Sequence, residues 1–371
     1  MELVAKKIKV CFIAPKAYPL FDPNVTGVFG GTEVDLYTLA TELAEDERFD
    51  VNFIAADYRQ KAIETINLVR IFKSLDFKEF PVSSALKVWQ VMRRVDAQIY
   101  FLQGVSLGTS LAASFCKLHK KIFVYRTASS LACDGTYLRE HYFKGRFFRW
   151  SLRKASQVIV QNDNDKRDIM RTIGVDPLVI QNGQYLPAVS RTRREAVIWI
   201  GRSAEVKKPQ LFLDLARQLP QESFVMICQQ ATGDNSYGEL VGRARQVRNV
   251  EFIERVPFNE IDAHFQRAKV FVNTSDSEGF PNTYVQACKN GTPIVSLNVN
   301  PDDFLNKYKC GLCADGDWDI FLSNLRKMLN TKERKQYAEN ARLYAEETHD
   351  IRIIVEKYKE LFSNLLRKRC W

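Results

Sequence analysis

The stretch AVIWIGRSAEVKKPQLFLDLARQL, residues 196–219, contains the unit from which most of the chain is built. A continuous apolar run is followed by a short polar loop and then by a segment with apolar residues at helical spacing. Such a run is typical of a strand buried on both faces of a parallel sheet, and the later segment is typical of the helix that covers it. The stretch therefore predicts one strand–loop–helix unit of an α/β domain.

Apolar runs of this kind recur along the chain, with amphipathic stretches between them. They are KIKVCFIAP, VNFIAAD, AQIYFLQG, KIFVYRT, QVIVQND and LVIQNG before YLPAVSRTRRE, and AVIWIGR, FVMICQQ, NVEFIERV, KVFVNTS and PIVSLN after it. A length of 371 residues suits two domains, since a domain usually has about 100 to 200 residues. The sequence predicts two doubly wound, Rossmann-like α/β domains with a cleft between them, joined near residues 186–195.

The composition is that of a soluble globular protein, with 46% hydrophobic and 26% charged residues. The start, MELVAKKIKVCFIAPKAYP, has a basic patch before an apolar run, as a signal peptide does. The run from Val10 to Ala14 is too short for a signal core and ends at Pro15, so we expect a first buried strand and a cytoplasmic protein.

The net charge of +10 favours anionic partners such as phosphates or acidic lipid surfaces. Zinc-finger spacing, an RNP-type aromatic strand and a basic zipper are missing from the sequence, so we expect no nucleic-acid partner.

The eight cysteines are spread along the chain without the spacing of a disulfide framework, which favours reduced thiols. Cys310 and Cys313 form a CxxC pair, which could indicate redox chemistry or half of a zinc site. A second CxxC or a His pair is absent from the sequence, so the structural interpretation is favoured and we predict no metal there.

In doubly wound sheets, ligands bind outside the carboxyl ends of the strands, so the loops after each apolar run are the places to look for chemistry. Arg202 and Lys207 share one such loop, just before a helix that we expect to begin near Pro209. The free N–H groups and dipole of a helix N-terminus favour an anion, and two cations beside it outline a phosphate clamp. The alternative is a solvated basic loop.

A second such loop lies in SDSEGFPNTYVQACKNGTPIVS, residues 275–296. Glu278 precedes a predicted helix that starts at Asn282, and Gln286 lies about one turn into it. A carboxylate can accept hydrogen bonds from sugar hydroxyls, and an amide can both donate to and accept from a vicinal diol such as a ribose. Together with a phosphate clamp, these groups suggest a nucleotide sugar. The alternative for Glu278 is an exposed loop acid bound to its own backbone.

Five stretches of the chain resemble glycosyltransferase family 4 and occur along the chain in the order that the family has. SDSEGFPNTYVQACKNGTPIVS resembles its acid–Gly–Phe signature, and IGRSAEVKKP resembles its Arg and Lys loop. FGGTEVDLYTLATELAE is similar to its glycine loop and first helix, and ASQVIVQNDNDKRDIM with VIQNG resembles the end of its first domain.

The resemblance implies the GT-B architecture, with domains at 1–186 for the acceptor and 187–345 for the donor, and a helix in 346–371 that crosses back to the first domain. It implies a retaining, metal-independent transferase that needs no cofactor and moves a sugar from a donor such as a UDP- or GDP-sugar to a hydroxyl of a glycan or glycolipid, in cell-surface polysaccharide synthesis. Arg202, Lys207 and Glu278 are then the catalytic residues. The donor-binding residues are Gly30, Gly31, Gly201, Gly279, Phe280, Pro281, Asn282, Thr283 and Gln286.

Two positions depart from the family pattern. Gln286 stands where the family usually has Glu, so a charged hydrogen bond, worth about 1.5–3 kcal/mol, becomes a neutral one. The His that many members carry after the strand KIFVYRT is replaced by the run Ala128-Ser129-Ser130. An alternative function is therefore a non-catalytic nucleotide-sugar sensor or partner subunit, and a third is an epimerase that acts on the nucleotide sugar without an acceptor.

Asp163-Asn164-Asp165 mimics the DxD metal motif of the other glycosyltransferase architecture. It follows an apolar strand and opens the predicted helix DNDKRDIM, where Asn and Asp are ordinary N-caps, so the structural interpretation is favoured.

Residues 137–155, YLREHYFKGRFFRWSLRKA, mix aromatic and basic side chains. A helix of this composition can lie on the anionic inner face of a membrane, which would suit a lipid-linked acceptor. The equal alternative is a helix that packs on the core and presents a solvated basic side.

Overall fold

The computed structural model describes residues 7–188 and 193–368. These form two compact units, one comprising residues 7–185 with 351–368 and the other residues 186–350. Cys370, the first six residues and part of the predicted connection near 186–195 lie outside the described residues.

The strands of the first unit form a single sheet. Their bounds are β1 Ile8–Ile13, β2 Phe49–Ala55, β3 Ile63–Ile66, β4 Val69–Lys73, β5 Ile99–Gln103, β6 Ile122–Arg126, β7 Gln157–Val160 and β8 Leu178–Val179. The order across the sheet is β3-β4-β2-β1-β5-β6-β7-β8. Neighbouring strands are parallel except β3 and β4, which are antiparallel.

Helices connect these strands. Their bounds are α1 Tyr18–Phe21, α2 Gly31–Ala44, α3 Pro81–Val95, α4 Leu107–Leu118, α5 Thr136–Glu140, α6 Tyr142–Lys154 and α7 Asp163–Thr172. Short 3₁₀ turns occupy Pro15–Ala17 and Ser130–Ala132.

The second unit repeats the pattern with an entirely parallel sheet. Its strands are β9 Ala196–Arg202, β10 Ser223–Gln229, β11 Val250–Ile253, β12 Ala268–Asn273, β13 Ile294–Ser296 and β14 Gly311–Cys313, in the order β11-β10-β9-β12-β13-β14. Its helices are α8 Pro209–Gln218, α9 Tyr237–Arg245, α10 Ile261–Arg267, α11 Asn282–Lys289, α12 Phe304–Lys307, α13 Trp318–Leu329 and α14 Thr331–Thr348, with 3₁₀ turns at Glu205–Lys207, Phe258–Glu260 and Pro301–Asp303. The predicted pair of parallel α/β domains is confirmed.

The final helix, α15 (Ile351–Arg367), belongs to the first unit. Its apolar face is buried, and the Tyr358 ring lies 5.7 Å from that of Phe101, centroid to centroid. Gly183 marks where the chain passes close to this helix, because a Cβ there would lie 2.6 Å from a side-chain atom of Ile351.

The structure refines the start of α7 and divides the stretch before β7 into two helices. The acidic run at 163–165 opens α7 as predicted, but the cap is Asn162, whose side-chain oxygen accepts a 2.7 Å hydrogen bond from the Asp165 N–H. The stretch 137–155 was predicted as one helix, which is wrong. His141, with φ −126° and ψ 72°, leaves the helical conformation and separates α5 from α6.

Candidate active site

The loop after β9 carries the predicted phosphate clamp. β9 ends at Arg202, a 3₁₀ turn follows at Glu205–Lys207, and α8 begins at Pro209 as predicted. Lys208 joins the turn to α8 in the left-handed conformation, with φ 44°. Its ammonium lies 2.6 Å from a carboxylate oxygen of Asp276, in the loop after β12.

Hydrogen bonds hold the loops after β9 and β12 together. The Asp276 N–H donates to the Val206 carbonyl at 2.9 Å, and the Thr274 hydroxyl donates to the Lys207 carbonyl at 2.7 Å. The indole N–H of Trp199 donates to the same hydroxyl at 2.9 Å. Residues that are about 70 positions apart in the sequence are thereby fixed at one edge of the sheet.

Glu278 and Lys207 form an ion pair at this edge, with side chains 14% and 24% exposed. The Lys207 ammonium donates to Oε2 of Glu278. Oε1 accepts from the Asn273 amide at 2.9 Å and from the Ser275 hydroxyl at 2.8 Å. The structure thus brings two of the three predicted catalytic residues into direct contact.

These contacts decide the charge of Glu278. Burial by itself raises the pKa of its carboxyl, but the charge of Lys207 and the hydrogen bonds from Lys207, Asn273 and Ser275 outweigh burial, so the pKa lies below its ordinary value. Glu278 is therefore ionised at neutral pH, as an acceptor of sugar hydroxyls needs to be.

Arg202, the third predicted catalytic residue, is exposed at the carboxyl end of β9. In the part of the chain that the structure describes, its guanidinium has no hydrogen-bond or ion-pair partner. A planar group with several donors is suited to a phosphate oxygen pair.

The helix after Glu278, α11, begins at Asn282 as predicted, and its N-cap residue Pro281 supplies no side-chain cap. Asn282 and Thr283, in the first turn, are half-buried. Gln286 is 7% exposed, and its side-chain amide has no hydrogen-bond partner within residues 7–188 and 193–368. Its amide atoms are not among the fully buried unpartnered atoms of the described residues, so they remain open to water or to a ligand.

Several predicted donor-binding residues have clear packing roles. The ring of Phe280 lies 5.0 Å from that of Phe304 and 5.1 Å from that of His349, so its side chain is part of the core. A Cβ on Gly201 would lie 2.9 Å from the Trp199 ring, which accounts for glycine there. Gly279 is buried. Any donor contact from Phe280 or the two glycines must come from the backbone.

Gly30 and Gly31 lie in the first unit, at the start of α2. The Gly30 N–H donates to a carboxylate oxygen of Glu33 at 2.8 Å, which closes the first turn of the helix. These two residues are therefore in a different unit from the remaining predicted site residues.

A cavity of about 750 Å³ adjoins Ser203 at the carboxyl ends of β9 and β10. It is lined by Glu205 and by the loop that contains Asp234 and Ser236. Hydrogen bonds from Ser203 and Ser236 lower the pKa of Asp234. The sequence indicated the loop after this strand but did not single out Asp234 or Ser236.

The described residues contain no group of three or more His, Cys, Asp or Glu side chains that could hold a metal ion. Cys310 is buried, and burial raises the pKa of the nearby Cys313 thiol to about 11. Among the helices of the described residues, none is long and apolar enough to span a membrane.

The predicted surface at 137–155 has two different faces. Phe148 and Leu152 of α6 are buried, whereas Phe143 and Phe147 are exposed. The basic side chains around them are also exposed; they are Arg139, Lys144, Arg146, Arg149, Arg153 and Lys154. α6 therefore packs one face on the core and leaves an aromatic and basic face exposed.

The two doubly wound units have the GT-B fold, and the second carries cations and an ionised carboxylate at the carboxyl edge of its sheet. The family description "Glycosyl transferases group 1" matches residues 187–344, and "Glycosyltransferase Family 4" matches residues 29–184. The two matches cover most of the chain, and the protein belongs to glycosyltransferase family 4. It is a glycosyltransferase, and its relatives imply a nucleotide-sugar donor and a glycan or lipid acceptor.

Individual relatives are distant in sequence. The chain is 21% identical over 364 residues to the UDP-Gal:alpha-D-GlcNAc-diphosphoundecaprenol alpha-1,3-galactosyltransferase of Escherichia coli, covering 88% of this chain and 92% of that protein. It is 20% identical over 382 residues to an uncharacterised glycosyltransferase of Methanocaldococcus jannaschii, covering 91% and 95%. The sucrose-phosphate synthase structure from Thermosynechococcus elongatus superposes with a TM-score of 0.80 at 13% identity, covering 98% of this chain and 100% of that one, which shows the shared fold.

Proposed function

We propose that this protein transfers a sugar, with retention of anomeric configuration, from a nucleoside-diphosphate sugar to a hydroxyl of a lipid-linked glycan, in cell-surface polysaccharide synthesis. The observation that carries the proposal is the ionised Glu278 held against Lys207, with Arg202, which has no side-chain partner among residues 7–188 and 193–368, in the loop that contains Lys207. The name of the Escherichia coli relative, which specifies a diphosphoundecaprenol-linked acceptor, supports the lipid-linked class.

In this mechanism the second unit binds the donor. Arg202 and Lys207 bind its diphosphate, the N–H groups at the start of α11 face the same anion, and Gln286 binds the ribose. Glu278 accepts hydrogen bonds from the hydroxyls of the donor sugar. The second unit thereby places positive charge where negative charge grows as the bond to phosphate breaks.

The transfer step exchanges one bond for another. The bond between the anomeric carbon and the phosphate oxygen breaks, and the acceptor oxygen bonds to that carbon on the same face. The acceptor proton passes to the departing phosphate oxygen, so the step requires no protein base. Arg202 and Lys207 supply the compensating charge, and we expect turnover to persist in EDTA.

The experiment measures release of nucleoside diphosphate with and without acceptor. We expect release only with acceptor, and a loss of about 100-fold in Glu278→Ala, the range found for removing one group that stabilises a transition state. Glu278→Gln, which keeps the shape but not the charge, should lose nearly as much. Glu333→Ala, an exposed acid of α14, is the matched control. Normal turnover in Glu278→Ala would refute the proposal.

A second candidate is a nucleotide-sugar sensor without turnover, which the neutral Gln286 favours. It predicts donor binding but no transfer to any acceptor in a broad panel. An epimerase would instead convert the donor in the absence of acceptor. Acceptor-dependent turnover excludes both.

We also propose that α6 contacts the inner face of a membrane peripherally. Exposed Phe143 and Phe147 beside six exposed cations match an anionic lipid interface. In sedimentation with phosphatidylglycerol-containing vesicles, most of the binding should be lost in the double variant Phe143→Ser/Phe147→Ser. Vesicles of pure phosphatidylcholine should bind little protein. Leu343→Ser, an exposed apolar residue of α14, is the control. Equal binding by both variants would contradict the proposal.

A further inference from the structure

The first unit contains an apolar cavity of about 670 Å³ between α3 and α4. It lies at the carboxyl ends of β1 and β5, the edge at which ligands bind in such sheets. Most of its lining is aliphatic and includes Leu75, Val88, Met92, Leu102, Val105 and Leu111. A cavity of this size is large enough for a small organic ligand.

One part of the cavity wall is polar. Lys16, Thr32 and Glu33 line it, the last two in the first turn of α2. Glu33 already accepts the Gly30 N–H, whereas Lys16 has no ion-pair partner in the described portion of the chain. The cavity therefore has the character of an amphiphile site, with a cation, a hydroxyl and the helix-capping carboxylate of Glu33 on one part of its wall and mostly hydrocarbon on the rest.

The rim of the cavity is apolar and exposed. Phe77 and Leu107 line the cavity and are 52% and 68% exposed. Phe80, Val82 and Leu86, at the start of α3, are also exposed. Of these, Phe77 and Leu107 border the cavity directly, so an apolar ligand that projects from it would contact them.

This rim and the exposed aromatics of α6 belong to neighbouring helices. α4 packs against both α3 and α6. Helices that follow strands of a parallel sheet begin at its carboxyl edge, so the first turns of α3 and α4 lie at the edge where the cavity opens. A chain that leaves the cavity here meets the exposed apolar side chains of Phe77 and Leu107.

We propose that this cavity binds the hydrocarbon chain of the lipid-linked acceptor next to its phosphate, and that Lys16 binds that phosphate. The proposal rests on the proposed function, because it names the part of the acceptor that the first unit holds. Each buried methylene contributes a factor of about four in affinity, so binding should tighten with chain length until the cavity is full.

The first test uses isothermal titration of the full chain with farnesyl phosphate, below its micellar concentration. Ala85→Trp places a large side chain in the cavity wall, and we expect affinity to fall at least about tenfold. Gln90→Trp, on the exposed side of the same helix, is the matched control and should bind normally. Leu107→Glu, at the exposed rim, should also weaken binding without endangering the fold.

The second test isolates the phosphate contact. Lys16→Ala should weaken farnesyl phosphate several-fold and leave farnesol unchanged, because farnesol lacks the anion. Lys78→Ala, an exposed lysine just before α3, should change neither. Equal losses for farnesyl phosphate and farnesol in Lys16→Ala would overturn the role of Lys16.

Binding of UDP or GDP, measured in the same variants, separates this inference from the proposed function. Loss of farnesyl phosphate binding with nucleotide binding intact supports the cavity. Unchanged farnesyl phosphate binding in Ala85→Trp and Leu107→Glu overturns it, even if transfer is demonstrated. The inference is also overturned if the wild type does not bind farnesyl phosphate but self-associates, and Leu107→Glu abolishes that self-association. A second copy of the chain would then cover the rim.

Discussion

Each unit has an ion pair at the carboxyl edge of its sheet, and the two pairs differ in what surrounds them. Asp35 and Arg126 in the first unit lie 3.0 Å apart with side chains 4% exposed. Lys207 and Glu278 in the second unit are 24% and 14% exposed. Both pairs join groups far apart in the sequence, but only the second retains access to a ligand.

The remaining partners of each pair explain the difference. The Arg126 guanidinium also donates to the Asn182 side chain at 2.6 Å and to the Gln103 side chain at 3.3 Å, and Gln103 donates to Asp35 at 2.9 Å. This network connects α2, β5 and β6, so it stabilises the unit. Around Lys207 and Glu278 the neighbouring Arg202 and Gln286 side chains have no partners within the described residues. We infer that the first pair serves the fold and the second serves binding.

The largest expected effect comes from Arg126→Met, which leaves Asp35 buried without its cation. Breaking a buried pair in this way costs about 3–5 kcal/mol of stability. Urea unfolding followed by circular dichroism measures the loss, and Asp35→Leu/Arg126→Met should recover part of it. Nucleotide affinity of the folded variant should be unchanged. A loss of less than about 1 kcal/mol in the free energy of unfolding would contradict the inference that the Asp35–Arg126 pair serves the fold.

Lys207→Met should lose less stability than Arg126→Met, because its ion pair is partly exposed, and its turnover should fall about 100-fold, or roughly 2.7 kcal/mol in barrier height. The pKa of Glu278 should also rise, because burial then acts without the lysine charge. The acid limb of donor binding should therefore move to higher pH than in the wild type. An unchanged limb would show that Lys207 does not set the charge of Glu278.

The direction in which pH changes the stability and donor affinity of the wild type follows from the lowered pKa of Glu278. Its ionised form contributes stability fully at pH values above the ordinary glutamate pKa of about 4.3, and that contribution is lost as the pH falls through the lower value of the folded state. Donor affinity that depends on Glu278 should be constant from neutral pH down to about 5, and Glu278→Gln should remove the acid limb.

The smallest expected effect is that of Gln286→Glu. A charged hydrogen bond to ribose is stronger than a neutral one by about 1–1.5 kcal/mol, or five- to tenfold in affinity. The free protein should be slightly less stable, because the buried carboxylate lacks a partner without ligand. Thermal shift without nucleotide measures the stability of the free protein, and thermal shift with UDP or GDP measures the stabilisation by nucleotide. A smaller stabilisation in Gln286→Glu than in the wild type would argue against a ribose contact.

Local patterns predicted the sheets well, because continuous apolar runs such as AVIWIGR can only be buried on both faces. They also predicted where α8 and α11 begin, since Pro209 and the Gly-Phe-Pro turn interrupt the chain. The break at His141 was missed because the residues on both sides favour a helix. The contacts of Phe280 with Phe304 and His349 were missed because they depend on distant segments.

The two ion pairs show the same limit. Glu278 and Lys207 were selected separately, each from its own loop, and only the structure shows that they touch. Neither Asp35 nor Arg126 was assigned a role, because a charged residue in an amphipathic helix and another at a strand end have no local signature. A further constraint on long-range pairing is needed to predict such contacts.

A crystal structure of the protein with an intact nucleoside-diphosphate sugar analogue tests the central claim most directly. The account predicts diphosphate oxygens within hydrogen-bond distance of Arg202 and Lys207, and a hydroxyl of the donor sugar on the Glu278 carboxylate. A nucleotide bound with its diphosphate away from both cations would contradict it.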